Sequence, residues 1–114
     1  MFIGRVIGSL WATRKTENTK GLKFLIIQPY NLNKAPNTDT VVAADNLGAG
    51  EGELVMVAYG RAARMAMGND DLSIEAAVIG IIDEFEIKPE YYSGEVDPQR
   101  IKYKKHVQQE TNAE

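Results

Sequence analysis

The chain has 114 residues and a mass of 12.6 kDa, enough for one compact domain with a single core and too little for two. Hydrophobic residues make up 44% of it and charged residues 25%, as in ordinary globular proteins, and the lack of Cys excludes disulfides, a thiolate nucleophile and a Cys-based zinc site. Thirteen basic and sixteen acidic residues give a net charge of −3, which disfavours general binding to nucleic acid or anionic lipid.

The N-terminal segment has a short apolar stretch that is interrupted by Arg5. It lacks a charged leader, a long apolar segment and a small-residue cleavage site, so it does not read as a signal peptide. No stretch approaches the roughly 20 apolar residues that span a bilayer. We therefore expect a soluble protein without membrane contacts, compatible with a reducing cytosol.

The first predicted strand is apolar on both faces. Alternation along a strand puts one set of residues on one side (Phe2, Val6, Leu10, Ala12) and a second set on the other (Ile3, Ile7, Trp11). A solvent-facing strand would carry polar residues on one side. The pattern favours a small barrel whose outer wall is covered by another subunit.

Four further strands and one small helix follow. Strands are predicted at 22–28, 40–45, 53–59 and about 75–83, and a helix of one or two turns within 60–71. Pro29 ends the second strand, and Gly60 and Gly68 bound the helix. Together these elements predict a mainly β fold, a small five-stranded Greek-key barrel of the oligonucleotide-binding (OB) type with one short helix.

The segment 45–53 is dense in glycine. At Gly48, Gly50 and Gly52 the backbone can take positive φ or approach another backbone closely. Because strands lie on both sides, the simplest interpretation is a hairpin turn. A phosphate-binding loop would need a terminal Gly-Lys-Ser/Thr or a following helix, and neither is present.

Residues 86–114 differ in composition from the barrel and form a predicted C-terminal extension. Pro89 confines any strand there to an edge. Asp97 followed by Pro98 is a helix-start pair, and the basic residues that follow favour a short helix reaching about Gln109. Its tyrosines indicate that the extension packs on one rim of an assembly or crosses to a neighbouring subunit.

Several ordered motifs resemble one known family. They are an opening G-R-V-x-G with A-T-x-K close behind, then V-A-A-D, G-A-G-x-G-E, G-x-A-A-R and V-I-G-I-I-D. In this order they resemble the vertex proteins of bacterial microcompartment shells, pentamers similar to the carboxysome and ethanolamine-compartment vertex proteins. The resemblance covers residues 1–85, and the chain departs from the pattern at Arg61 and Ser73.

The resemblance implies a structural role in the bacterial cytoplasm. It implies a homopentamer that caps the vertices of a microcompartment, beside hexameric shell proteins, with no catalytic residues, no metal and no cofactor. It also makes two segments candidates for the symmetry axis or a subunit interface: the glycine turn (Gly48, Ala49, Gly50, Glu51, Gly52, Glu53) and the small-residue corner (Ala62, Ala63, Arg64). Arg64 would either pair across an interface with Glu51 or Glu53, or be exposed.

Other functions have weaker support in the sequence. The acidic residues Glu75, Asp83, Glu84, Glu86 and Glu90 are expected to be solvated or to lie at an interface rather than to be catalytic, and the single histidine, His106, to be exposed. A basic and aromatic cluster leaves one rival open, a binding module of the OB type for single-stranded nucleic acid or a small anion. The cluster comprises Tyr91, Tyr92, Arg100, Lys102, Tyr103, Lys104 and Lys105.

Overall fold

Five strands close into a barrel in the computed structural model, which describes residues 1–12, 16–32, 39–92 and 94–105. The strands are β1 (Phe2–Leu10), β2 (Lys23–Pro29), β3 (Val41–Asp45), β4 (Leu54–Tyr59) and β5 (Ala76–Ile81). Helix α1 (Gly60–Ala66) joins β4 to β5. The mainly β fold with five barrel strands and one short helix is thus confirmed, with element limits within a few residues of those predicted.

The strand order around the barrel is β1-β2-β3-β5-β4, with β4 closing onto β1. All neighbours are antiparallel except β3 and β5, which meet in parallel at Ala44 and Ala77. Because β5 lies between β3 and β4, those two strands do not pair, and the predicted hairpin at the glycine turn is wrong. The turn instead connects β3 to β4 across one end of the barrel, and β4 pairs with the edge of β1 that β2 leaves open.

The barrel interior is filled by aliphatic side chains that alternate along the strands. Its largest fully buried members are Val6, Leu25, Ile27, Val55, Val57 and Val78. Leu54 is also fully buried, but it is adjacent to Val55 and therefore lies on the opposite face of β4. β-branched residues suit these positions because they pack well on a pleated surface. This core fixes which residues of each strand face outward.

Helix α1 covers part of the outer wall. Ala63 on the helix packs with Ala44, Ala58 and Ala77 of three strands and with Ile74. The small side chains on the strands allow the helix to approach the sheet closely. Gly68, at φ 87°, ends the helical segment in the left-handed conformation that glycine tolerates best.

The chain divides into two compact units, Met1–Tyr30 with Thr38–Ile81, and Asn31–Asn37 with Ile82–Glu114. The second contains two short antiparallel strands, β6 (Glu84–Glu86) and β7 (Lys102–Lys104). Asp97 accepts a hydrogen bond from the Gln99 N–H at 3.0 Å, as expected of a helix N-cap. The helix is a single 3₁₀ turn, Pro98–Arg100, followed by β7, so the predicted longer helix is wrong at residues 102–104. His106 and the end of that predicted helix lie outside the described residues.

Candidate subunit interface

The outer wall of the barrel carries apolar side chains that α1 does not cover. Ile3 on β1 pairs with Met56 on β4, and Ile26 on β2 pairs with Val42 on β3. Val42 and Ile7 are each about half exposed, at 47% and 49%. We call these five residues the outer apolar surface. Exposed and partly exposed apolar side chains on neighbouring strands are typical of a protein contact.

One buried carboxylate, that of Asp45, accepts hydrogen bonds from backbone N–H groups at the start of the glycine turn. Asp45 is 2% exposed, and its side-chain oxygens accept hydrogen bonds from the N–H groups of Leu47, Gly48 and Ala49 at 3.1, 3.2 and 3.1 Å. Ala49 is buried in the barrel core, so its side chain serves packing within the chain. The carboxylate satisfies three donors that would otherwise lack partners, and this fixes the shape of the turn.

The end of the turn extends the antiparallel pairing of β4 with β1. The Gly52 N–H donates to the Val6 carbonyl at 2.8 Å, and the Val6 N–H donates to the Glu53 carbonyl at 2.9 Å. The Arg5 guanidinium donates to the Gly52 carbonyl. Gly48 and Gly52 have φ values of 83° and 86°, whereas Gly50 does not enter the positive-φ region. Positive φ therefore explains two of the three predicted glycine positions.

At the third glycine, the Gly50 N–H donates to the Glu53 carboxylate at 2.6 Å. Glu53 is therefore engaged within its own turn. Glu51 lies at the tip and is exposed. Of the two acidic residues considered as partners of Arg64, only Glu51 projects freely from the turn.

The small-residue corner belongs to α1. Ala63 is fully buried and Ala62 is exposed. Arg64 forms an ion pair with Asp70 at 3.3 Å and donates to the carbonyls of Asp70 and Ile74 at 3.1 and 3.4 Å. Arg64 is thus neither a freely exposed residue nor a cation without a partner, since Asp70 of the same chain pairs with it.

Arg61 contacts the other oxygen of Asp70 at 3.3 Å. Two guanidinium groups thereby contact one carboxylate, and Arg61, one of the two departures from the pattern, has a partner within the chain. The pairs tie α1 to the loop that follows it.

The two predicted segments lie at opposite ends of β4. The glycine turn precedes this six-residue strand and α1 follows it, so about 20 Å of chain separates them at the usual rise per residue. The structure does not bring them together within one chain. Whether either segment lies at a subunit interface or near an axis stays a prediction.

The five acidic candidates, Glu75, Asp83, Glu84, Glu86 and Glu90, are all exposed. Within the described residues, no three His, Cys, Asp or Glu side chains are grouped closely enough to hold a metal ion. The hydrogen bond from Lys88, together with the charges of Lys88 and Lys102, lowers the pKa of the Glu86 carboxyl. Glu86 is exposed, as expected of a solvated residue.

Three residues of the basic and aromatic cluster, Lys102, Tyr103 and Lys104, lie opposite residues of β6. Lys102 and Lys104 lie opposite Glu86 and Glu84 across the β6–β7 pair. Tyr103 stacks on Phe85, with ring centroids 5.9 Å apart. Tyr91 is 86% exposed, but the glutamates opposite Lys102 and Lys104 offset the positive charge on which phosphate binding would depend.

Sequence reasoning missed most of the outer apolar surface. The two-faced pattern was recognised only in the first strand, although Ile26 and Val42 alternate with core residues in the second and third strands in the same way. Applying the same periodicity test to every strand would have found them.

No helix in the described ranges is long and apolar enough to cross a membrane. A family profile described as "Ethanolamine utilisation protein EutN/carboxysome" matches residues 1–83.

The microcompartment shell vertex protein GrpN of Rhodospirillum rubrum is 41% identical over 86 residues, which cover 75% of this chain and 97% of GrpN. The carboxysome shell vertex protein CcmL of Synechocystis is 42% identical over 83 residues, covering 73% of this chain and 83% of CcmL.

Solved structures agree with these relatives. The structure of Gloeobacter violaceus CcmL superposes with a TM-score of 0.71 at 39% identity and covers 77% of this chain and 91% of that one. A structure described as the GrpN pentameric microcompartment shell protein from Rhodospirillum rubrum gives 0.63 at 38% identity, covering 73% and 94%. Fold, motifs and relatives agree, and the chain belongs to the EutN/CcmL family, whose named members are microcompartment shell vertex proteins.

Proposed function

We propose that this protein is a structural shell protein that forms a homopentamer and caps the vertices of a bacterial microcompartment. The observation that carries the proposal is the outer apolar surface, which a single chain leaves partly exposed to water and a neighbouring subunit would bury. The relatives named above are vertex proteins, and one of their structures is described as pentameric.

The mechanism is geometric rather than chemical. In a ring each subunit presents one surface to one neighbour and a different surface to the other, and the ring closes only when the rotation per subunit is right. Fivefold closure produces the curvature that a flat sheet of shell proteins lacks. The rigid barrel suits this task, because a small change of angle repeated at five interfaces would prevent closure.

The two ends of β4 supply the remaining candidate contacts. The turn residues Gly48, Glu51 and Gly52 are exposed and form a narrow tip that could approach an axis closely. Ala62 and the adjoining helix surface are exposed at the other end. Ala49, Ala63 and Arg64 support these surfaces from within the chain, and Glu53 fixes the turn that presents Glu51.

We further propose that hexameric shell proteins surround the pentamer, and that the protein has no catalytic activity and no nucleic-acid ligand. The vertex domain spans residues 1–85, and residues 86–114 are an addition to it. These limits fit the family match, which ends at residue 83.

Light scattering of the purified protein at low and high salt tests the oligomeric state. A single species near five times 12.6 kDa at both concentrations is expected, because apolar contacts depend little on salt. A monomer would overturn the proposal. Salt-sensitive binding of a labelled oligonucleotide would instead support the OB-type binding module.

A further inference from the structure

Strand β6 begins directly after the family profile ends, and β7 lies well beyond that point. The profile ends at residue 83, and the alignment with GrpN covers nearly all of GrpN but three quarters of this chain. The role of β6 and β7 must therefore be sought in their own residues. We call the two strands together the extension ribbon.

The extension ribbon has an acidic strand and a basic strand. Glu84 and Glu86 lie on β6, and Lys104 and Lys102 lie directly opposite them on β7. On the other face Phe85 and Tyr103 form a stacked pair. Each strand lies opposite a strand of the other charge, and by the same chemistry each suits a second strand of opposite charge.

In the described residues, each strand of the extension ribbon pairs along one edge and has no strand along its other edge. Within the described residues the extension ribbon has only two strands, so each strand has a neighbour on one side. The Ile87 N–H donates to the Ile101 carbonyl, and the Lys105 N–H donates to the Asp83 carbonyl, each at 2.7 Å. These bonds fix the alternation of the antiparallel ladder.

It follows that the backbone N–H and C=O groups of four residues point away from the extension ribbon: Glu84, Glu86, Lys102 and Lys104.

Charge decides which edges can meet. Two β6 edges would put glutamates opposite glutamates, and two β7 edges would put lysines opposite lysines, which is unfavourable for cross-strand pairs. An acidic β6 edge against a basic β7 edge is favourable. That contact joins different surfaces on the two copies, so it is head-to-tail, the arrangement that generates rings.

The strand directions agree with a ring as well. In a cyclic assembly every β6 runs in the same sense along the axis, and β7 runs opposite to it. The β7 strand of one copy and the β6 strand of the next are then antiparallel, like the pair within one chain. Ten strands at about 4.8 Å spacing would span about 48 Å around the ring, a normal circumference for a β-barrel.

We propose that the occupant of each extension-ribbon edge is a second copy of this chain. In the homopentamer, β7 of one subunit pairs with β6 of the next, and the extension adds a second set of head-to-tail contacts to those of the barrels. This inference rests on the proposed pentamer.

Amide hydrogen exchange of the purified pentamer tests the pairing after its mass has been measured. The amides of Glu84, Glu86, Lys102 and Lys104 bond to nothing within one extension ribbon, so pairing between subunits should slow their exchange at least tenfold relative to exposed amides. Rapid exchange in a confirmed pentamer overturns this inference alone. A monomer by light scattering overturns it together with the proposed function.

Charge exchange separates pairing between chains from pairing within one chain. The variants E84K/E86K and K102E/K104E each disrupt both kinds of pair, and each should lose the protection. Co-expressed with different tags, the two variants can restore four of the five contacts between chains but none within a chain. The mixed pentamer should recover the protection, whereas a mixture no better than its components overturns the proposal.

The fourfold variant E84K/E86K/K102E/K104E is the matched control. It restores every pair with the charges exchanged, and it should behave like the unaltered protein. If it does not, the charges do not set the pairing and the proposal is wrong.

Discussion

Gly4 on β1 lies directly against Ile27 on β2 inside the barrel, and a methyl group on Gly4 would fall well inside van der Waals contact with the Ile27 Cγ2. Ile27 is fully buried and belongs to the central core. The Phe2 ring and the Gln28 carbonyl also lie close to the place where that methyl would be, at 3.1 and 3.2 Å. The barrel can close tightly at this point only because Gly4 has no side chain.

We expect Gly4→Ala to destabilise the protein by about 1–3 kcal/mol, the usual cost of overpacking a core. Gly8→Ala on the same strand is the matched control, since its methyl would meet Ile26 at an ordinary 3.6 Å. Urea unfolding followed by far-ultraviolet circular dichroism measures both. Equal effects of the two substitutions would contradict the close packing at Gly4.

Removing the carboxylate of Asp45 should also destabilise the fold. In Asp45→Ala three backbone N–H groups beneath the glycine turn lose their acceptor, which we expect to cost about 1–3 kcal/mol. Asp45→Asn keeps one acceptor oxygen, so its stability should lie between that of Asp45→Ala and that of the unaltered protein. Thermal unfolding checks the order, with the exposed Asp71→Ala as a control. An Asp45→Ala variant as stable as the control would show that the turn does not need this acceptor.

The positions of the barrel strands can be predicted from local sequence, but the order in which the strands pair cannot. Runs such as LKFLIIQ and ELVMVAY, bounded by glycine or proline, favour strands wherever they occur. The insertion of β5 between β3 and β4 depends on Ala77 meeting Ala44, residues far apart in the chain with nothing distinctive about either. The hairpin interpretation failed for this reason, because neighbouring strands in sequence are the simplest partners until a distant strand competes.

The extension shows the same limit on a smaller scale. The N-cap at Asp97 was predicted correctly, since a cap depends only on the residues beside it. The strand that follows was missed, because Lys102–Lys104 pairs with residues 84–86, and the alternation of Ile101 and Tyr103 with lysines is too short to outweigh a helix start. The ion pair between Arg64 and Asp70 could not be predicted either, because no local sequence pattern specifies the path of the loop that contains Asp70.

The two arginines that share Asp70 should differ in their importance. Arg64 is 26% exposed and also holds two carbonyls, whereas Arg61 is 74% exposed. We expect Arg64→Ala to cost about 1–2 kcal/mol, because the carbonyls of Asp70 and the partly buried Ile74 both lose a charged donor. Arg61→Ala should stay within about 0.5 kcal/mol, as for an exposed ion pair. Chemical denaturation of both variants provides the comparison, and a larger effect at Arg61 would refute this assignment.

Lysine at position 88 should control the acidity of Glu86. Its hydrogen bond and charge, with a smaller contribution from Lys102, lower the pKa of Glu86. A lowered pKa in the folded state stabilises the fold above the unfolded value of about 4.3, and this contribution is lost as the pH falls through the folded pKa. In Lys88→Met the Glu86 pKa should rise toward its ordinary value. An NMR titration of the Glu86 carboxyl measures it, with Lys20→Met as the distant control.

The outer apolar surface provides the sharpest test of assembly. Val42→Glu places a charge on the exposed outer wall of β3, where the isolated barrel tolerates it and a subunit contact would have to bury it. We expect the variant to lose the pentamer while keeping the circular dichroism spectrum of the folded barrel. Gln99→Glu adds the same charge at an exposed position in the extension and should remain pentameric. Light scattering of the two variants beside the unaltered protein distinguishes them, and a pentameric Val42→Glu would place the subunit contact elsewhere on the barrel.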